Sequence, residues 1–156
     1  MKIEDIKFEG LDAIELTTSK MRLIATTEVG PRVAFFGTFD GENMLFWDTE
    51  NKYKRDDWHL RGGHRVWIAR PMADESEETY NSDNLPAQIT RKYDGFTLTT
   101  PVDPANRTKR GFTVTVVDED KIDVENFVIN CGDMLFSCSV WALTCTLPES
   151  DTTYAY

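Results

Sequence analysis

The sequence is short of basic residues and has no long apolar run, and each shortage excludes a class of protein. Its 156 residues carry 17 Lys and Arg against 27 Asp and Glu, a formal net charge of −10. A field of that sign repels nucleic-acid phosphates and anionic lipids, so we expect neither partner. No apolar stretch approaches the roughly 20 residues that cross a bilayer, and MKIEDIKFEG has no signal-peptide core. We expect a cytoplasmic protein.

Residues for metal and cofactor chemistry are also few. The chain has two histidines, and its three cysteines, Cys131, Cys138 and Cys145, lie seven residues apart. In a strand an odd spacing sends successive side chains to opposite faces, which disfavours a shared metal site. We therefore predict buried free thiols in a reducing compartment. No zinc spacing, phosphate-binding glycine loop or Ser-His-Asp order is present, and we expect no metal and no cofactor.

Turn signals separate short alternating segments along most of the chain, which predicts an all-β fold. Asp40-Gly41 and Asp94-Gly95 indicate hairpins, and no segment has a sustained helical period with caps. The predicted strands are residues 14–17, 21–27, 32–39, 44–47, 65–70, 87–93, 96–100, 111–117, 121–130 and 134–147, with loops at 48–60 and 72–86. About ten strands at this spacing suggest one antiparallel β-sandwich domain spanning residues 1–156.

Most of the candidate chemistry lies in residues 58–84. This stretch holds both histidines, two tryptophans, three arginines and a Gly62-Gly63 pair that would leave room for a ligand beside the main chain. An imidazole can donate a proton near neutral pH, aromatic faces stack on sugar rings, and guanidinium groups donate to hydroxyls or carboxylates. These residue types predict a sugar site. The candidate general acid is His64, and the candidate substrate-binding residues are Trp58, Arg61, Arg65, Trp67, Arg70 and Asn84.

Structural roles are the simpler alternative for several of these residues. A lone histidine beside a strand, such as His64 or His59, more often satisfies local hydrogen bonds than it catalyses. Trp67 alternates with apolar neighbours and fits a core position as well as a stacking platform. The acidic residues 74–78 fit a solvated loop. Composition alone leaves these alternatives open.

Several motifs resemble one family. GGHRVWIARP at residues 62–71 and ETYNSDN at 78–84 resemble the N-terminal half of galactose mutarotase-like (aldose 1-epimerase-like) proteins. They are most similar to an uncharacterised bacterial branch with a Gly-Gly-His-(Lys/Arg)-X-Trp motif. GPRV at 30–33, NCGD at 130–133 and VWALT at 140–144 are similar too, so the resemblance runs from about Leu16 to Pro148.

The resemblance implies an antiparallel sandwich that binds a carbohydrate without a metal or organic cofactor. In the epimerases a histidine protonates the ring oxygen, the role that His64 matches, and a glutamate removes the anomeric proton. That glutamate lies in the C-terminal half of proteins nearly twice this length, and no residue here corresponds to it. A half-length relative, a fragment, or two chains that complete one sandwich would each explain the difference. An uncovered strand edge would favour a homodimer.

Three functions follow from these observations. The first is a carbohydrate-binding protein without complete catalytic machinery. The second is a cofactor-independent epimerase or mutarotase, whose base comes from Glu75, Glu77, Glu78 or Asp83, or from a second chain. The third is an interaction module that uses an exposed sheet edge.

Overall fold

The protein is an all-β antiparallel sandwich, which confirms the predicted fold class. The computed structural model describes residues 1–56, 58–69 and 81–147. These residues contain no α-helix, and hence no helix long and apolar enough to cross a membrane. Their elements are β1 (Lys2–Phe8), β2 (Leu11–Thr17), β3 (Met21–Thr26), β4 (Arg32–Thr38), β5 (Lys54–Arg55), β6 (Trp58–His59), β7 (His64–Ala69), a 3₁₀-helix (Asn81–Asn84), β8 (Gln88–Lys92), β9 (Gly95–Thr99), β10 (Thr108–Asp118), β11 (Lys121–Asn130) and β12 (Ser139–Thr144).

Two large sheets and one small hairpin contain these strands. The larger sheet has the order β1-β2-β3-β4-β7-β12, the second has the order β11-β10-β9-β8, and β5 pairs with β6. β4 contacts β7 through the single pair Val33–His64, whereas β12 pairs along all of β7. Strands β1 to β4 are therefore neighbours in the order of the sequence, whereas β7 lies between β4 and β12, which are distant from it in the sequence.

The two large sheets pack face to face over one hydrophobic core. The smaller sheet contributes Phe96, Leu98, Phe112 and Val114, all with no exposed surface. They pack with alternate residues of the larger sheet, Ile14, Leu16, Leu23, Ala25, Val33 and Val66 among them. Burial of each large apolar side chain contributes roughly 1.5–3 kcal/mol. The period of two in the sequence therefore predicts which face of each strand is buried between the sheets.

Some local predictions differ from the structure. β1 was not predicted, because its apolar residues do not alternate: Ile3 packs into the main core, while Ile6 and Phe8 pack on the opposite face of the sheet. Residues 44–47 form isolated bridges instead of a strand, and the predicted strand 134–147 is regular only over β12. The predicted loop 48–60 contains the β5–β6 hairpin.

The three cysteines are free but only partly buried, so the prediction of buried thiols is wrong for their environment. Cys131 directly follows β11, Cys138 directly precedes β12 and Cys145 directly follows β12, and all three side chains are only partly covered. Burial nevertheless raises the pKa of the Cys138 thiol. Among the described residues, no group of three or more His, Cys, Asp or Glu is placed to hold a metal ion.

Candidate functional site

The Gly62-Gly63 pair lets two segments of backbone approach closely. Both residues have positive φ, +95° and +71°. Gly63 donates its N–H to the Phe46 carbonyl at 2.8 Å and accepts the Cys145 N–H at 2.9 Å. A Cβ on Gly62 would lie 2.3 Å from the Phe46 oxygen, and one on Gly63 would lie 2.1 Å from the Val33 oxygen. The space beside these glycines is filled by protein, so the idea that they leave room for a ligand is wrong.

The predicted site residues on β7 point to opposite faces of the sheet. Val66 lies in the core between the sheets, and His64, two residues earlier, shares that face. Arg65 and Trp67 occupy the alternate positions, with the guanidinium carbon of Arg65 4.1 Å from the Trp67 ring centre. Trp67 also meets Trp141 edge to face at 5.4 Å. His64 therefore does not share one ligand surface with Arg65 and Trp67.

Arg65 and Trp67 are both buried, at 4% and 7% exposure. Arg65 donates to the Leu60 carbonyl at 3.1 Å, and the Trp67 indole N–H donates to Asp83 at 2.6 Å. Their contacts are those of packed residues, and Trp67 presents no open face for stacking on a sugar.

Of the other predicted substrate-binding residues, Trp58, Arg61 and Asn84 are partly exposed, and Arg70 lies outside the described residues.

A buried ion pair next to this stretch was not predicted from the sequence. Arg32 is 1% exposed and donates to the carbonyls of Leu60 (2.9 Å) and Gly62 (2.8 Å) and to the Asp83 carboxylate (3.2 Å). Burial lowers the pKa of Arg32 to about 10, although Asp83 opposes this, so the guanidinium stays charged at neutral pH. The only signal in the sequence was an arginine directly after Gly30-Pro31, at the start of a strand.

Asp83 had been considered as a catalytic base. It instead accepts hydrogen bonds from Arg32 and Trp67, and it lies 3.9 Å from the Arg110 guanidinium. Asp83 is 6% exposed and its carboxylate faces these buried partners, so it is not presented to a substrate. The other candidate bases, Glu75, Glu77 and Glu78, lie outside the described residues.

His59 is part of a buried loop anchor. Its Nε2 lies 2.9 Å from Asp48 Oδ2, and both side chains are buried. Asp48 also accepts the backbone N–H groups of Lys52 and Tyr53. Burial alone would raise the pKa of Asp48, but the hydrogen bonds from Tyr53, His59 and Lys52 outweigh it and lower the pKa. This geometry favours the structural interpretation of His59.

His64 lies between two polar side chains from other strands. Its Nδ1 is 2.8 Å from the Thr144 hydroxyl on β12, and its Nε2 is 2.9 Å from Asn126 Oδ1 on β11. Phe112 meets the imidazole edge to face, with ring centres 6.0 Å apart. With Asn126 Oδ1 as acceptor, a neutral imidazole carries its proton on Nε2 and accepts the Thr144 hydroxyl at Nδ1. The sequence alone does not indicate Asn126 or Thr144 as partners of His64, because they lie 62 and 80 residues away.

A cleft of about 200 Å³ opens beside this imidazole. His64 and Thr144 contribute to its lining, together with six apolar residues: Leu23, Val33, Phe36, Leu45, Ile122 and Val124. Burial lowers the pKa of His64, and the hydrogen bond to Asn126 offsets this only in part. The cleft therefore combines apolar walls with one uncharged polar cluster, which can bind a neutral molecule that has both apolar and hydroxyl surfaces.

No family model, curated protein or solved structure matches this chain. The resemblance to mutarotase-like proteins therefore stays a prediction from short motifs.

We expect the pKa of His64 to lie below its ordinary value of 6.5. Between that lowered pKa and 6.5 the unfolded chain binds more protons than the folded one, so this histidine makes the free energy of unfolding fall as the pH falls through that window. NMR titration of the imidazole measures the pKa. Urea unfolding of the wild type and of His64→Gln across the window isolates the contribution of this residue.

Asn126→Leu provides the control for this titration, since it keeps the volume and removes the hydrogen bond that raises the pKa. The pKa of His64 should fall further in this variant. A His64 pKa above 6.5 in the wild type would contradict the description of the site.

We expect Asp83→Asn to lower the free energy of unfolding by roughly 3–5 kcal/mol, because it leaves the buried charge of Arg32 uncompensated. The variant retains an acceptor for Trp67, so the loss reports mainly on the charge. Urea denaturation followed by tryptophan fluorescence measures it. Asp5→Asn breaks the exposed Arg91–Asp5 pair and should leave stability unchanged. Equal midpoints for Asp83→Asn and the wild type would refute the prediction.

Proposed function

We propose that the protein binds a carbohydrate in the cleft beside His64 and that it lacks a complete acid–base pair for anomer exchange. The observation that supports this most directly is the hydrogen-bonded arrangement of His64 with Asn126 and Thr144 beside an apolar cleft. Sugar sites need hydroxyl-binding groups and apolar surface side by side, and this cleft has both.

The two kinds of surface match the two kinds of surface on a pyranose ring. Ile122 and Val124 can contact ring C–H groups, while the imidazole of His64 and the hydroxyl of Thr144 can exchange hydrogen bonds with ring hydroxyls. The lining residues carry no fixed charge, which favours a neutral sugar.

The supporting contacts favour binding over catalysis. Within the described part of the chain, His64 is hydrogen-bonded to a hydroxyl and an amide, and to no carboxylate. Asp83 is held by Arg32, so it does not serve as the base. An epimerase would need its base from the acidic residues 74–78 or from a second chain. Trp58, Arg61, Arg70 and Asn84 remain sugar-binding candidates on the basis of the sequence.

We expect at least one aldose in a panel to show NMR line broadening with the wild-type protein, without faster exchange of its anomers. Thr144→Val should weaken binding by roughly three- to tenfold, the value of one hydrogen bond between uncharged groups. His64→Ala should weaken it further, since it removes the centre of the polar cluster. Thr90→Val makes the same chemical change on the exposed face of β8 and should leave binding unchanged.

The outcomes of this experiment separate the three functions. Faster anomer exchange that disappears in His64→Ala would favour an epimerase. Line broadening that is equal in the wild type and Thr144→Val would place the sugar elsewhere. Absence of broadening across the panel would reject carbohydrate binding and leave the interaction module as the leading function.

The interaction module is supported by a separate observation. Within the described residues, β11 and β12 are edge strands of the two large sheets, and they lie on the same side of the sandwich. The connection between them exposes Met134 at 82% and leaves Leu135 fully exposed, and Ile129 and Val140 on the strands are nearly half exposed. Unpaired edges beside exposed apolar side chains favour association with another chain.

We expect the protein to sediment as a dimer at high micromolar concentration and Leu135→Glu to shift it towards the monomer. The added charge would have to be buried at the interface, which is costly. Tyr93→Glu is the matched control, because Tyr93 is 92% exposed in the β8–β9 turn, away from these edges. A monodisperse wild-type monomer at that concentration would rule out a homodimer.

A further inference from the structure

The lining of the cleft also bears on which sugar binds. We infer that the preferred ligand is a 6-deoxyhexopyranose, a neutral sugar ring whose exocyclic carbon is a methyl group and not a hydroxymethyl group. This inference rests on the proposed sugar binding beside His64. It depends on how polar and apolar residues are distributed along the cleft.

Polar groups lie at one end of the cleft only. On β11, Asn126 bonds to His64 and shares a face with Val124 and Ile122, the two β11 residues that line the cleft, so the lining from this strand is aliphatic beyond the His64 cluster. Across the larger sheet, the lining passes from Thr144 and His64, which pair directly, through β4 to Leu23 on β3. Both directions lead away from the hydrogen-bonding cluster into apolar surface.

A pyranose that places its ring hydroxyls on the polar cluster directs another part of the molecule to the apolar end. A hydroxymethyl group there would bury a hydroxyl against Leu23, Phe36 or Ile122, none of which offers a side-chain partner. An unpartnered buried hydroxyl weakens binding by about tenfold. A methyl group at the same place gains apolar contacts and loses no hydrogen bond.

Size and charge restrict the ligand further. Sites for drug-sized molecules typically occupy about 300–1,000 Å³, whereas this cleft measures about 200 Å³, which suits a single ring. Among the described residues, the side chains that line it include no arginine, lysine or carboxylate. A uronic acid or a sugar phosphate would bring a charge into the cleft without a counter-charge, and such a charge is costly to bury.

The test compares sugars that differ only at the oxygen on carbon 6. Dissociation constants are measured by NMR titration for D-fucose against D-galactose, L-fucose against L-galactose, and L-rhamnose against L-mannose. We expect the deoxy member of the pair that binds best to bind about tenfold or more tightly than its partner. Equal affinity, or preference for the hydroxymethyl sugar, would overturn the inference while leaving sugar binding at His64 in place.

A variant of the lining provides the second part of the test. Val124→Thr keeps the shape of the side chain and adds a hydroxyl to the apolar part of the cleft, so the preference for the deoxy sugar should shrink severalfold. Val102→Thr makes the same change at a residue outside the lining that is 42% exposed and should leave the preference unchanged. An unchanged preference in Val124→Thr would contradict the inferred orientation. If none of the six sugars binds but another aldose does, the inference fails and the proposed function stands; if no aldose binds the wild type, the proposed function fails as well.

Discussion

The position of residues 58–69 depends on the contacts of one buried group, the guanidinium of Arg32. A charge removed from water has to be compensated by an opposite charge and by hydrogen bonds. Arg32, at the start of β4, donates hydrogen bonds to the carbonyls of Leu60 and Gly62. Asp83 in the 3₁₀-helix supplies the opposite charge and accepts a further hydrogen bond. The segment that leads into β7 is therefore fixed by an ion pair as well as by the glycine contacts.

This anchoring determines what His64 can do. Because Leu60 and Gly62 are tied to Arg32, β7 begins at His64 opposite Val33, and the imidazole lies between the sheets. Arg65 must then take the other face, where it packs on Trp67. The stretch 58–69 thus has two separate roles: one face stabilises the sandwich, and the other contributes one polar side chain to the cleft.

Both open edge strands carry hydrogen-bond partners of His64 beside the cleft. β11 supplies Asn126 and β12 supplies Thr144, and within the described residues both are edge strands. A chain that paired with either edge would lie next to the cleft and would change its access to solvent. The proposed sugar binding and the proposed association with another chain are therefore physically coupled, since each would use the side of the sandwich that β11 and β12 form.

The sequence by itself determined the features that depend on local pattern. Period-two alternation and turn signals are local, so they predicted the antiparallel sandwich, the Asp94-Gly95 hairpin and the opposite faces of Val66 and Trp67. Only the tertiary structure decided which residues meet. His64 bonds to Asn126 and Thr144, which lie 62 and 80 residues away in the sequence, and Arg32 bonds to Asp83, 51 residues away. These partners meet because the packing of the whole chain sets the order of strands in a sheet. A local pattern assigns a face to a side chain, and the fold supplies its partners.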